Sequence, residues 1–286
     1  QYWNAITDDK WSKTYINDKP GVSLALITGA SLLPIPHPET LCGETVERIV
    51  TCNPTKVESA LFIFRIFLVS FNAFLLLFLF WIIKKITTIH IALWSTAFMA
   101  LSPILLGISQ ILNPDALLWS FGSASLFSYF ALLRFQEKKY LFFSGIFLGF
   151  AILSKYTASF FLPFFLLISI LPLYFKPTPD FTVVLDQIQK NLKRFFFVFG
   201  ITVATIVFFL PAIWLKPAIL INLLSGGTDT PFIFITLATF TLLSLDCVLF
   251  RGYLLHFFHN ILKRARHIAA LPYVLPWGTL GLFTLL

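Results

Sequence analysis

The feature that most constrains this chain is a series of long apolar runs separated by short clusters of charge. An α-helix needs about 20 mainly apolar residues to cross the hydrocarbon core of a bilayer. Charged residues form 12% of the chain, about half the share usual in soluble domains. The predicted spans are Ser59–Ile83, Ile89–Ile108, Ala116–Leu133, Tyr140–Leu153, Ala158–Phe175, Phe195–Leu215 and Pro231–Phe250, with a last, truncated span from Ala269. The pattern predicts an all-α polytopic membrane protein with about eight spans.

The chain divides into a polar N-terminal stretch, residues 1–57, and a transmembrane bundle, residues 58–286. Within the first stretch, Val22–Leu33 is apolar but too short to span a membrane, which predicts a helix lying in the interface. Apolar residues also recur at helical spacing within 176–194, which predicts an amphipathic helix on the membrane surface. The chain opens at Gln1 and stops inside an apolar run, so we expect a fragment of a longer protein.

Orientation follows from the positive charge, because short loops rich in Lys and Arg stay in the cytoplasm. One set of alternate loops holds thirteen basic residues, whereas the turn at 109–115 holds none. The thirteen are Lys84, Lys85, Arg134, Lys138, Lys139, Lys176, Lys190, Lys193, Arg194, Arg251, Lys263, Arg264 and Arg266. Residues 1–57, the 109–115 turn, Lys155 and the 216–230 loop are therefore predicted to share the outer face.

The net charge of +8 does not indicate nucleic-acid binding, because the basic residues lie at the ends of apolar runs and form no soluble basic face. Cys42 and Cys52 share one polar loop. They form a disulfide if that loop faces an oxidising compartment, or they remain a pair of free thiols; the sequence leaves both open. Cys247 lies in an apolar run and is predicted to be a core residue.

Two charged residues at the predicted outer face could carry chemistry. Asp115 opens a span directly after Asn113-Pro114. Its carboxylate either stabilises a helix start or accepts a proton or holds a cation at the membrane surface. Lys155 lies between two apolar runs; its ammonium group either extends to the interface or binds an anionic ligand on the same face as Asp115.

A third candidate is the segment Asp18-Lys19-Pro20-Gly21, which precedes the predicted interfacial helix. It forms either an ordinary surface turn or a turn in which Lys19 binds a phosphate group as a point charge.

Three segments together resemble the dolichyl-phosphate-mannose–protein mannosyltransferase superfamily and its bacterial members. They are Tyr15–Val22, Asn113–Leu118 and Ser144–Tyr156, and their order and spacing agree with that family over residues 1–215. The resemblance implies a GT-C fold, which is a multi-span helical bundle with an outer loop containing interfacial helices and a cavity at the outer face. It also implies a polyprenyl-phosphate-linked sugar as donor, inversion at the anomeric carbon, and a glycan, lipid or protein as acceptor.

Carried over by position, the resemblance implies that Asp115 and Asp18 are the catalytic carboxylates. Lys19 and Lys155 then lie near the donor phosphate. In some members the residue matching Asp18 also helps to hold a divalent metal ion, the cofactor that the resemblance suggests here. The implied location is the bacterial cytoplasmic membrane, with the active site on the outer face.

The chain departs from the family's pattern, and the histidines that complete a metal site in some members have no clear equivalent here. Gln1-Tyr2-Trp3 resembles the residues that follow the family's leading acidic pair, so we expect that pair to lie upstream of Gln1. Asp8 and Asp9 are the alternative candidates for its role. Gly21 replaces the second proline of many members.

Two other functions compete with the transferase. A transporter or flippase for an anionic or lipid-linked substrate would use intramembrane charges as a substrate path, and such proteins carry paired broken spans in repeated halves. A non-catalytic scaffold descended from a transferase is the third possibility.

Overall fold

The computed structural model describes residues 2–15, 21–29, 42–44, 50–52, 54–110, 113–175 and 181–225. The N-terminal part begins with helix α1 (Tyr2–Thr7), a 3-10 turn (Trp11–Thr14) and helix α2 (Val22–Gly29). Two short antiparallel strands follow, β1 (Cys42–Glu44) and β2 (Val50–Cys52). Helix α2 lies where the short apolar patch predicts a helix; its position in the membrane interface stays a prediction.

The remaining described residues are almost entirely helical. The helices are α3 (Pro54–Ile86), α4 (Ile89–Ala100), α5 (Pro103–Gln110), α6 (Pro114–Phe135), α7 (Lys138–Ser154), α8 (Phe161–Phe175), α9 (Phe181–Phe209), α10 (Ala212–Leu215) and α11 (Ala218–Leu224), with a 3-10 segment, Tyr156–Phe160, before α8. The prediction of an all-α membrane protein is confirmed.

Three of the described helices, α3, α6 and α9, are long and apolar enough to cross a membrane. Helices α4 and α5 make a fourth span if they are counted together, although they are bent by 47° at their junction. Helix α7 has 17 residues, or roughly 25 Å at 1.5 Å per residue, which is slightly less than the hydrocarbon core. The two predicted spans after residue 230 lie outside the described residues.

The predicted division between a surface helix at 176–194 and a span from Phe195 is wrong. Instead, α9 runs without a break from Phe181 to Phe209, and its part Asp186–Phe209 is long and apolar enough to cross a membrane. The physical reason is local, since no Gly or Pro interrupts the sequence between Phe181 and Phe199. Helix α9 ends at Phe209, not at Leu215, because Pro211 disfavours helical geometry at the residue before it.

The chain forms two compact units: Gln1–Phe165 with Arg194–Ile233, and Leu166–Lys193 with Phe234–Leu286. In the second unit, the buried Asn191 donates to the carbonyl of Ser169 at 2.9 Å and accepts from Gln187 Nε2 at 3.1 Å.

In the first unit, small and hydroxyl-bearing residues hold the helices together. Gly145 and Gly149 let α7 approach α9 so closely that a Cβ at either position would lie 2.7 Å from a side-chain carbon of α9. Thr202 of α9 donates to the carbonyl of Gly145 at 3.1 Å, and Ser125 of α6 donates to the carbonyl of Ser144 at 2.8 Å. Close backbone contact and interhelical hydrogen bonds of this kind drive helix association in membranes, where the hydrophobic effect between helices is absent.

Candidate functional site

The site begins at the N-terminus of α6, whose start is fixed by three consecutive residues. Asn113 caps the helix by accepting a hydrogen bond from the Asp115 amide at 3.1 Å, and Pro114 occupies the first turn. Both residue types suit these positions. Asp115 follows in the same turn, so the helix start holds its carboxylate in place.

Lys155 lies at the opposite end of the next helix, where α7 stops. Its backbone is extended, with φ −156° and ψ 133°, and its amide still donates to the carbonyl of Ala151 at 3.0 Å. Its own carbonyl accepts from Ala158 and so begins the following 3-10 segment. Lys155 is therefore a fixed junction between two helical elements.

Helices α6 and α7 form a hairpin, which brings Lys155 back to the end of the hairpin where α6 begins. The Nζ atom of Lys155 lies 2.8 Å from Oδ1 of Asp115, and the two side chains are only 30% and 28% exposed. Partial burial raises the strength of such a contact above that of an exposed ion pair. Two of the four predicted site residues thus form one charge pair.

The N-terminal segment contacts the same end of α7. Gly21 donates its amide to the carbonyl of Ser154 at 3.2 Å. Two residues later, the buried hydroxyls of Ser23 and Ser154 are 2.5 Å apart. Gly21 has a φ of 53°, in the left-handed region that glycine adopts at least cost. Asp18 and Lys19 lie outside the described residues, but the contact fixes the chain two residues after Lys19 against the residue before Lys155.

A second set of contacts holds the N-terminal segment to the end of α9. Thr14 is fully buried, and its hydroxyl accepts the amide of Ala212 at 3.0 Å. The Tyr2 hydroxyl donates to the carbonyl of Phe209 at 2.7 Å, and burial raises the pKa of Tyr2 to about 12. The rings of Trp11 and Trp214 lie 5.9 Å apart. These contacts hold residues 2–14 against the end of α9 and against α10.

An open apolar pocket of about 620 Å³ lies beside α2. It is lined by residues of α2, α3, α6, α7 and α9, among them six phenylalanines and two serines, Ser23 and Ser70. Ser23 connects this pocket to the charge pair, because its hydroxyl contacts Ser154, the neighbour of Lys155. The site therefore combines one charged group of each sign with an adjacent open pocket lined by aromatic rings.

Among the described residues, no group of three or more His, Cys, Asp or Glu side chains converges in a way that could hold a metal ion. The Oδ1 atom of Asp115 is already engaged by Lys155. Asp18, to which the resemblance assigns the divalent metal ion, lies outside the described residues, so that cofactor stays a prediction.

Fold and site together define an integral membrane protein with a half-buried charge pair at one end of a helical hairpin. The family described as dolichyl-phosphate-mannose-protein mannosyltransferase matches residues 55–214, more than half of the chain. The chain belongs to this family, whose members are membrane glycosyltransferases of the GT-C type, and the resemblance noted from the three segments is confirmed. No curated protein and no solved structure matches the chain.

The matched residues include Asp115 and Lys155, whereas Asp18 and Lys19 precede the match. The catalytic and phosphate-binding roles of all four stay predictions. Sequence reasoning missed Ser23, Ser154 and Thr14 as residues that position the site. Ser154 could have been found from the sequence, because it adjoins Lys155 in a segment that carries the family resemblance. No local pattern indicates that Thr14 contacts a residue 198 positions further on.

Proposed function

We propose that this protein transfers a sugar from a polyprenyl-phosphate carrier to an acceptor outside the cytoplasm, with inversion at the anomeric carbon. The observation that carries the proposal is the pair of Lys155 and Asp115, 2.8 Å apart at one end of a transmembrane hairpin. The reaction needs a cation for the phosphate that leaves and a carboxylate for the hydroxyl that attacks. The pair supplies one of each.

The chemistry is a single displacement. The acceptor oxygen attacks the anomeric carbon from the face opposite the phosphate, the bond from that carbon to the phosphate oxygen breaks, and the phosphate keeps the electron pair. Asp115 takes the proton of the acceptor hydroxyl, and Lys155 offsets the charge that grows on the phosphate. Attack from the opposite face inverts the configuration.

The contact between the two side chains serves as the resting state of the site. A donor phosphate competes with Asp115 for the Lys155 ammonium group, because both are anions that accept from the same three N–H donors. Donor binding then frees the carboxylate to act as a base. The site becomes competent only when the donor is present, which limits wasteful reaction with water.

The apolar pocket suits the carrier's isoprenoid chain. Its volume of about 620 Å³ lies within the range of small-molecule sites, which are mostly apolar with a few polar groups. Six aromatic rings and the aliphatic side chains of α2 would bury the branched hydrocarbon. The Ser23–Ser154 contact places this pocket beside the backbone that carries Lys155.

Charge on the other end of the hairpin supports a site on the outer face of the membrane. Lys84, Lys85, Lys138 and Lys139 are exposed and lie at that end, where α3 stops and α7 begins. Such clusters remain in the cytoplasm. Asp115 and Lys155 then face outward, toward a glycan, lipid or protein acceptor.

The decisive experiment compares Asp115→Asn with Glu137→Gln in the full-length protein in host cells. Both carboxylates pair with a lysine, but Glu137 lies at the other end of the hairpin and is about half exposed. Mass spectrometry of the envelope glycans, lipids and proteins would measure the sugar that the wild type adds. We expect Asp115→Asn to lower its transfer by about 10²- to 10⁴-fold and Glu137→Gln to leave it unchanged.

Equal products from wild type and Asp115→Asn, at equal protein levels in the membrane, would overturn the assignment. The transporter alternative makes a different prediction, namely transport without a covalent product. It needs paired broken spans, and the described residues contain a single bent pair, α4 with α5.

A further inference from the structure

The two strands that precede α3 pair with a register that brings two cysteines together. Cys42, the first residue of β1, is directly opposite Cys52, the last residue of β2. Gly43 is opposite Thr51 and Glu44 is opposite Val50, so the cysteines close the open end of the hairpin.

Backbone geometry at this position permits a disulfide. Directly opposite residues of an antiparallel pair have Cα atoms about 4.5 or 5.5 Å apart, depending on whether they share hydrogen bonds. Disulfides form when the Cα atoms are about 4.4–6.8 Å apart. Both kinds of pair therefore meet the Cα separation that a disulfide needs, whereas a register shifted by two residues would not.

A disulfide at this position would stabilise a pair of strands that is too short to be stable by itself. The strands have three residues each, and an isolated two-stranded hairpin is marginally stable in water. A covalent link at the open end would hold the strands paired and fix the chain directly before Pro54, where α3 begins.

We propose that Cys42 and Cys52 form a structural disulfide on the outer face of the membrane. The proposal rests on the outer-face orientation of the proposed function, because disulfides form and persist in oxidising compartments. It does not depend on the transfer reaction itself.

The bond forms by exchange with the disulfide of a thiol–disulfide oxidoreductase. One cysteine thiolate attacks a sulfur of that disulfide and gives a mixed disulfide, with release of the enzyme's other thiolate. The second cysteine thiolate then attacks the sulfur of the first, which expels the enzyme's remaining thiolate. The pair loses two electrons and two protons, and the oxidoreductase leaves as a dithiol.

The chain supplies a direct readout. Trypsin cleaves after Arg48, between the two cysteines, and it does not cleave after Lys19 because Pro20 follows. The cysteines therefore fall in separate peptides, 14–48 and 49–56, which stay joined only if the disulfide is present.

Cells that produce the full-length protein would be quenched in acid and alkylated with N-ethylmaleimide before lysis, so that air cannot create the bond. Mass spectrometry without reduction should find peptides 14–48 and 49–56 joined, and reduction should separate them. Cys42→Ser and Cys52→Ser should each abolish the joined pair and leave the other cysteine alkylated. Cys247→Ser is the matched control and should leave the joined pair intact.

Separate, alkylated peptides from the wild type would overturn the proposal. A membrane-impermeant maleimide then identifies the reason. If it labels the two cysteines in intact cells, the hairpin lies outside but the thiols stay reduced. If it does not, the orientation is also wrong. If the disulfide is absent but sugar transfer is retained, the disulfide proposal fails and the proposed function stands. If the peptides are joined but the protein shows no transfer, the disulfide proposal stands and the proposed function fails.

Discussion

The two ends of the α6–α7 hairpin carry charge in different ways. At one end, Asp115 and Lys155 face each other from two helices and are both less than one-third exposed. At the other end, Lys139 pairs with Glu137, two residues away in sequence, and both are 47% exposed. Nearby, Arg134 donates to the carbonyl of Ile86 and Arg194 donates to Oε1 of Gln136 at 2.7 Å.

The difference separates charge that sets topology from charge that carries chemistry. At the Lys139 end, the cations bind a helix-terminal carbonyl, a neutral amide or an exposed carboxylate close in sequence, as residues that fix orientation do. At the Asp115 end, opposite charges are held by helix caps and are partly removed from solvent, which is costly unless they are paired. The sequence shows lysines and carboxylates at both ends of the hairpin. The two ends differ in how far these side chains are buried and in which groups they contact.

Exchanging the charges of Asp115 and Lys155 should have the largest effect, and it tests whether the two ends of the hairpin differ in function. We expect Asp115→Lys to place two cations together and to lower the free energy of unfolding by about 1–3 kcal/mol, less than for a fully buried pair because these side chains are partly exposed. Adding Lys155→Asp should restore the attraction and most of the stability. Transfer should remain at least about 100-fold below wild type in both proteins, measured as envelope product per unit of folded protein. Recovery of transfer in the double variant would mean that the pair is purely structural.

Packing between α7 and α9 gives the next largest effect, because it holds the part of α7 that leads to Ser154. A Cβ at Gly149 would lie 2.7 Å from the Cβ of Thr205 and 3.2 Å from the carbonyl of Thr202. Gly149→Leu should therefore destabilise the protein by about 1–3 kcal/mol or more, measured as thermal unfolding in detergent. Gly200→Leu is the control, because nothing lies within 4 Å of its Cβ position, and it should change stability little. Equal effects of the two substitutions would contradict close packing at this interface.

Two threonines test whether the outer loop depends on buried hydrogen bonds. Thr14→Val leaves the amide of Ala212 buried without its acceptor and should cost about 1–3 kcal/mol. Thr87→Val at the other end should cost much less, since Thr87 is exposed and bonds to Ile83 within its own turn. Hydrogen exchange of residues 2–15 should rise in the first variant alone. If exchange rises equally in both, Thr14 does not anchor this segment.

Tyr2 should give the smallest effect. Tyr2→Phe removes the hydrogen bond to Phe209 and should cost about 1 kcal/mol at pH 8. The pKa of Tyr2 is raised in the folded protein to about 12, from 10.0. Its contribution to stability is therefore present below pH 10 and is lost as the pH rises from 10 to 12. Wild type should thus lose its advantage over the variant in that interval and become the less stable of the two by pH 12 in unfolding measurements. A wild-type advantage that persists at pH 12 would exclude this cause.

Periodicity and charge predicted the class of fold because span length and loop charge are local properties. The start of α6 was likewise readable, since Asn113, Pro114 and Asp115 act within one turn. The continuity of α9 was misjudged because Lys190, Lys193 and Arg194 resemble the edge of a span, although a helix tolerates them. The contacts of Ser23 with Ser154 and of Thr14 with Ala212 join residues more than 130 positions apart, and no short-range pattern encodes them.

The placement of Asp115 and Lys155 on one helical hairpin has a consequence for biogenesis. Their forty-residue separation means that both charges enter the membrane as part of a single inserting unit, so the pair can form while later spans are still being synthesised. The hydrogen bond between Thr14 and Ala212 cannot form until α10 has also been synthesised. The N-terminal segment is therefore anchored only after both residues of the charge pair have been made.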